Sequence, residues 1–171
     1  MDISKTISSQ FHAALSMMEQ TVSLCSDELW NVSGQDNPFW RVAFHALFYV
    51  DLYLQPSEDE MTLWENARDG YQFLGPTLWP PHEQPQADHP YSREEILAYV
   101  SYLRGLVAST VPKVDLNAPS GFHWLPFDKL ELQIYNIRHL QQHVGDLSTV
   151  LLTQENTEIN WVGMGDGRPA E

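Results

Sequence analysis

Cysteine and positive charge are what this chain has least of. A single cysteine, Cys25, occurs in 171 residues, so no internal disulfide can brace the fold. The amino-terminal stretch also lacks a basic region followed by an apolar run, and together these features predict a cytoplasmic protein. Lysine and arginine number 9 against 23 aspartates and glutamates, a formal net charge of −14. Such a balance gives little attraction to phosphate backbones or anionic lipid, which argues against nucleic-acid and membrane partners. Apolar runs are short as well. The longest, around His45, is interrupted by Arg41 and Asp51, well below the ~20 residues that span a bilayer. There is no internal repeat, Gly-rich phosphate loop, Gly-x-Ser-x-Gly nucleophile setting or Cys-x-x-Cys pair, so the commonest nucleotide, serine-hydrolase and redox chemistries have no foothold.

What is present is helical patterning and enough apolar material, 43% of residues, to bury one core. Ile3, Ile7, Phe11, Ala14, Leu15, Met18 and Val22 recur at three and four, predicting a first helix over Ser4 to Cys25. Asn37 followed by Pro38 reads as an N-cap with proline at the first helical position of a second helix, apolar on nearly every side and running to Leu54. From Gln55 to Tyr91 proline, acidic residues and isolated aromatics predict a long connection, with one short helix over Asp59 to Ala67. Connections of that length are usually functional lids or partly disordered, so this one could cover a pocket. Ser92-Arg-Glu-Glu95 is a capping box opening a third helix that ends by Pro112, and a fourth runs from beyond Pro126 to Leu152. Residues 1–153 are therefore expected to form one all-α four-helix bundle. Residues 154–171 are read as a polar tail that docks through Ile159, Trp161, Val162 and Met164 on the domain or on a second subunit.

Histidines carry the chemistry. His139 and His143 lie four apart, one above the other on a helix face, and His45 lies within the apolar second helix. At about 100° per residue, His143 falls about 40° and Asn136 about 60° from His139, inside an arc that also holds Leu132, Leu147, Leu140 and Val150. Burying such groups without partners costs about 1–3 kcal/mol each. A shared divalent ion or a hydrogen-bonded network would offset that cost, and imidazole is the commonest metal ligand. A lone histidine on an apolar face is more often a satisfied core residue; convergence of three is what favours ligation. His12, His82, His89 and His123 show no such convergence. Leu140 follows His139 where the zinc-protease motif needs glutamate, and the Glu-x-x-His pattern of di-iron bundles is missing, which points to a single metal.

With His45 in the second helix and Asn136-x-x-His139-x-x-x-His143-x-Gly145-Asp146 in the fourth, the chain resembles the DinB-like superfamily, including its YfiT-type metal-dependent enzymes, over nearly its whole length. The resemblance implies an up-down-down-up four-helix bundle, commonly a homodimer, in which His45, His139 and His143 bind one divalent ion such as zinc or nickel. It implies a small-molecule substrate, a low-molecular-weight thiol such as bacillithiol, mycothiol or glutathione, activated for transfer or isomerisation. Two departures stand out: Asp146 occupies a position that is often glutamine, and the 55–91 connection is longer than usual.

The reading that follows is a metal-dependent transferase or hydrolase whose three neutral imidazoles leave a coordination position open to a thiol or water. Asn136 and Asp146 are candidates to orient the ligands, and Tyr49, Trp40 and Tyr135 candidates to line the pocket. Cys25, on a sheltered helical position, is a weak nucleophile candidate. The competing reading is a noncatalytic metal-containing binding or regulatory module, its tail and long connection serving a partner.

Overall fold

Four stretches sustain the three-and-four spacing of apolar residues, and each is a long helix in the computed structural model, which describes residues 2–32 and 37–165. They are α1 (Ile3–Leu24), α3 (Phe39–Leu54), α4 (Arg93–Thr110, continued by a 3-10 turn Val111–Lys113) and α5 (Lys129–Glu155), with a single turn α2 (Asp27–Trp30) between the first two. The chain is all-α; among the described residues there is no strand, only an isolated bridge between Pro119 and Asp128. No described helix is long and apolar enough to cross a membrane.

The helix ends follow local chemistry. Asp2 accepts the Lys5 amide at 3.2 Å to open α1, and Asp128 accepts the Glu131 amide at 2.8 Å to open α5. The expected capping box at α4 is complete: Ser92 Oγ accepts the Glu95 amide at 3.2 Å and Glu95 accepts the Ser92 amide at 2.7 Å. Helix α5 ends at Asn156 with φ +51, a left-handed turn that asparagine tolerates. One boundary differs from the expectation. Pro38, not Asn37, holds the capping position of α3, because the Asn37 amide donates to Leu74 O at 2.8 Å and its oxygen accepts from Gln84 at 2.6 Å.

Helix α3 packs against α4 and α5, and α1 packs against the same two, so the four long helices close a ring with α1 and α3 nearly out of touch. Phe11, Leu15 and Met18 of α1, Phe44 and Leu47 of α3, Leu103 of α4, and Leu132 and Leu140 of α5 fill its centre and are fully buried. Each such side chain contributes about 1.5–3 kcal/mol by leaving water.

The 55–91 connection is a packed layer, not a loose lid. The helix expected over Asp59 to Ala67 does not form. Its would-be helical donor, the Trp64 amide, is taken by Asp51 at 2.8 Å, and the Trp64 ring stacks on Tyr99 with centroids 4.3 Å apart. Asp51 is fully buried and also accepts from Tyr99 Oη at 2.9 Å and Gln55 Nε2 at 2.8 Å. Further along, Tyr71 and Tyr91 close on Trp40, and the Arg41 guanidinium donates to Tyr71 O at 3.3 Å and Pro85 O at 2.7 Å. Tertiary partners therefore override local helix preference here.

The tail docks on α1 of its own chain. Gln20 exchanges two hydrogen bonds with the Asn160 backbone, 2.8 and 3.2 Å, and the Gly165 amide donates to Ser9 Oγ at 3.0 Å. A Cβ on Gly165 would sit 2.7 Å from Ser9 O, so only glycine allows that approach. Val162 is buried in this contact, whereas Trp161 and Met164 stay exposed. Residues 166–171 of the expected tail lie outside the described part.

Candidate metal centre

Helices α3 and α5 bring the three histidines together. His45 stands on α3 and His139 and His143 on consecutive turns of α5, and each offers a ring nitrogen such that all three lie within 4.8 Å of one another. His45 Nε2 and His139 Nε2 are 3.2 Å apart. Two nitrogens sharing a tetrahedral ion at about 2.0–2.1 Å would sit about 3.3 Å apart, so this pair already has the needed separation. The remaining separations are no more than 4.8 Å. The rings are half-buried, at the edge of the core.

Orientation comes from outside the two helices. His45 Nδ1 lies 2.5 Å from the Gln72 carbonyl oxygen, an acceptor that requires a protonated Nδ1. That tautomer turns the Nε2 lone pair toward His139, the arrangement by which outer partners orient metal ligands. His139 Nδ1 is buried with no protein partner, and so is His143 Nδ1; the latter's 3.3 Å approach to Asp146 Oδ2 is long and poorly aligned for a hydrogen bond. Facing ring nitrogens with free lone pairs are what a cation would satisfy, and an ion on His139 Nε2 leaves that ring's Nδ1 still without a partner. His45, His139 and His143 lie close enough to hold one metal ion between them.

Burial sets the protonation. It pushes His45 down to about 3, helped by His143, His139 and Arg41 and opposed by the Gln72 carbonyl. Burial and then His143 push His139 down to about 4, and burial lowers His143 against the opposing pull of Asp146. All three are neutral near pH 7, the state a metal requires. In the unfolded chain these rings take up protons near 6.5, so between pH 6.5 and 4 the unfolded state binds protons that His45 and His139 do not. The metal-free protein is accordingly expected to lose up to about 1.4 kcal/mol per pH unit for each of these two rings as pH falls through that window. Urea titrations from pH 7 to 4.5 check this. A His45→Gln, His139→Gln double variant with the same pH slope as wild type would contradict it.

The other expected residues are placed unequally. Tyr49 stands beside the imidazoles, its ring 4.9 Å from His45 and 5.2 Å from His139. Asn136 is fully buried on the same face but donates to Val50 O at 3.2 Å, tying α5 to α3. Trp40 belongs to the Tyr71–Tyr91 aromatic cluster, and Tyr135 packs on Tyr53 and Phe127, one helical turn from His139. Gly145 is exposed, with nothing near the position a Cβ would take. Burial and then Glu155 push the Cys25 thiol up to about 12, which leaves it without nucleophilic character near neutral pH. His82, His89 and His123 are exposed and His12 is half-buried on α1.

Gln72 was invisible to sequence reasoning, because a backbone carbonyl leaves no side-chain signature. So was a 530 Å³ cleft that reaches His143 and Asp146 between walls that include Phe39, Val42, Leu74 and Val150. Comparison of the chain with family models, curated proteins and solved structures finds no match.

Proposed function

We propose that this chain is a metal-dependent enzyme, a transferase or hydrolase, built as a four-helix bundle of the DinB/YfiT type and working as a homodimer. The observation that carries the reading is the meeting of three ring nitrogens from α3 and α5 within 4.8 Å. His45, His139 and His143 would hold one zinc or nickel ion. When bound, such an ion supplies Lewis acidity that makes a thiol or water nucleophilic near neutral pH.

The chain's own residues do the rest. The Gln72 carbonyl fixes the His45 tautomer, and the neutral rings add no positive charge that would repel a cation. His143 is the ring that lines the cleft, so substrate approaches from its side. Tyr49 packs its ring against both His45 and His139.

Elemental analysis of protein purified without a histidine tag tests the reading. About one equivalent of zinc or nickel per chain is expected in wild type, and a small fraction of that in His45→Ala, His139→Ala and His143→Ala. Equal, negligible metal in all four proteins would end the proposal.

A further inference from the structure

We infer that a cavity at the other end of the bundle from the cleft beside His143 is a second ligand site, taking a small carboxylate with an apolar body and a hydroxyl or N–H donor next to the carboxylate. The inference is independent of the metal-dependent reading.

The cavity, of 460 Å³, lies where the end of α3, the last turn of α4 and the start of α5 meet, and it shares no lining residue with the cleft beside His143. Gln133, on its α5 wall, comes six residues before His139, about 9 Å away along the helix axis. Such a volume suits a small molecule. Leu54, Pro56, Leu106, Val114 and Ala118 give it carbon walls, which favour an apolar body.

Two buried side chains of α5 specify the head. Gln133 is 1% exposed, and its Oε1 is buried with no hydrogen-bond partner. An amide oxygen taken out of water in that state costs stability until a donor is brought to it. Lys129 is 9% exposed, and two of its N–H groups are committed, to Gln55 O at 3.2 Å and Pro56 O at 2.7 Å. Those bonds close the end of α3, yet they leave the ammonium without a carboxylate. The Phe122 ring, centred 5.6 Å from Nζ, offers only a cation–π contact, and burial lowers the Lys129 pKa with no acid acting against it. An incoming anion would pair with that charge through the remaining N–H. Four apart on α5, Lys129 and Gln133 are neighbours on one face, so the anionic group and the donor belong on adjacent parts of one ligand.

The other polar groups of the lining are accounted for. Lys113 adds a second positive charge at the exposed rim, and Asp115, also exposed, is the one carboxylate among the described lining residues, its Oδ1 accepting the Asn117 amide at 3.0 Å. Two cations against one acid reverses the balance of the whole chain, which carries −14. Gln55 spends its side-chain amide on Asp51 and on the Thr62 amide, and Ser109 donates to Leu106 O at 3.1 Å. Tyr53 and Thr110 also line the cavity, and a hydroxyl serves either as donor or as acceptor.

Calorimetric titration of the full chain in physiological salt, which screens its net charge, tests the inference with three probes of one shape. They are 3-phenyllactate, 3-phenylpropanoate, which lacks the hydroxyl, and 3-phenyllactamide, which lacks the charge. Phenyllactate is expected to half-saturate the protein about tenfold below phenyllactamide and severalfold below phenylpropanoate, the loss of one charged and one neutral hydrogen bond. Gln133→Met should erase the hydroxyl preference, keep the charge preference and melt no lower than wild type, because it removes an orphaned amide at nearly constant shape. Lys129→Met should erase the charge preference. Because that change also opens the end of α3, Lys113→Ala at the rim is the second variant and should reduce the preference severalfold. His45→Ala should leave all three affinities unchanged, which separates this cavity from a hydroxy acid chelating an ion at the histidines. The inference is overturned if phenyllactate shows no saturable binding, if it and its amide bind equally, or if His45→Ala abolishes the binding. The first two outcomes leave the metal reading untouched, and the third supports it.

Discussion

Zinc is expected to raise the unfolding free energy of this protein by about 2.7 kcal/mol when the free ion is a hundred times its dissociation constant, and to do so only while all three histidines are present. The ion binds the folded state, where α3 and α5 hold three ring nitrogens within 4.8 Å of one another. In the unfolded chain His45 lies far in sequence from His139 and His143, so no preformed site exists to compete. His139→Ala is the most telling variant. It removes a ring whose Nδ1 is buried without a partner, so the metal-free protein loses packing but also sheds an unsatisfied polar atom. The larger loss should appear only in the presence of zinc. Chemical denaturation with zinc and with chelator, for wild type and for each alanine variant, measures the difference directly. A zinc-induced shift of the same size in His139→Ala would mean that the ion binds elsewhere.

Asp51→Ala is expected to cost about 3 kcal/mol or more, since it orphans buried donors worth about 1–3 kcal/mol each. The carboxylate sits fully buried on α3 and accepts from the Trp64 amide, Tyr99 Oη and Gln55 Nε2. Burial pushes its pKa up while these three donors pull it down, so the group is held by its hydrogen bonds and not by a countercharge. Asp51→Asn keeps an acceptor oxygen and should cost less. The effect should reach the metal centre, because the connection that Asp51 anchors at Trp64 also delivers the Gln72 carbonyl to His45. Loss of such an outer partner typically weakens metal affinity about 10–100-fold. Competition with a chromophoric chelator measures that affinity; an Asp51→Ala protein that unfolds early but holds zinc as tightly as wild type would separate the two roles.

Helix existence was legible because apolar periodicity persists for many turns in four segments, and their boundaries fell within a few residues of expectation. The short α2 was not, since four residues cannot display a period; only Ser26 accepting the Leu29 amide and Trp30 Nε1 donating to Tyr91 O mark it. The Asp59 to Ala67 stretch has local helix character, yet its backbone is claimed by Asp51 and its tryptophan by Tyr99. Of the candidate site residues, the three histidines and Tyr49 converge, while Trp40 and Tyr135 make their ring contacts within other aromatic groups. Periodicity places a residue on a face but does not say which neighbour that face will meet.

The amino-acid order by itself determined the all-α class, the cap at Ser92, and the stacking of His139 above His143, because each depends on atoms within one or two helical turns. Whether His45 meets that pair, which of its nitrogens is free, and what chemistry lines the approach were decided by tertiary structure alone. Those properties arise where α3, α5 and the 55–91 layer come within a few ångströms of each other, and no local rule of spacing carries information across such a distance along the chain.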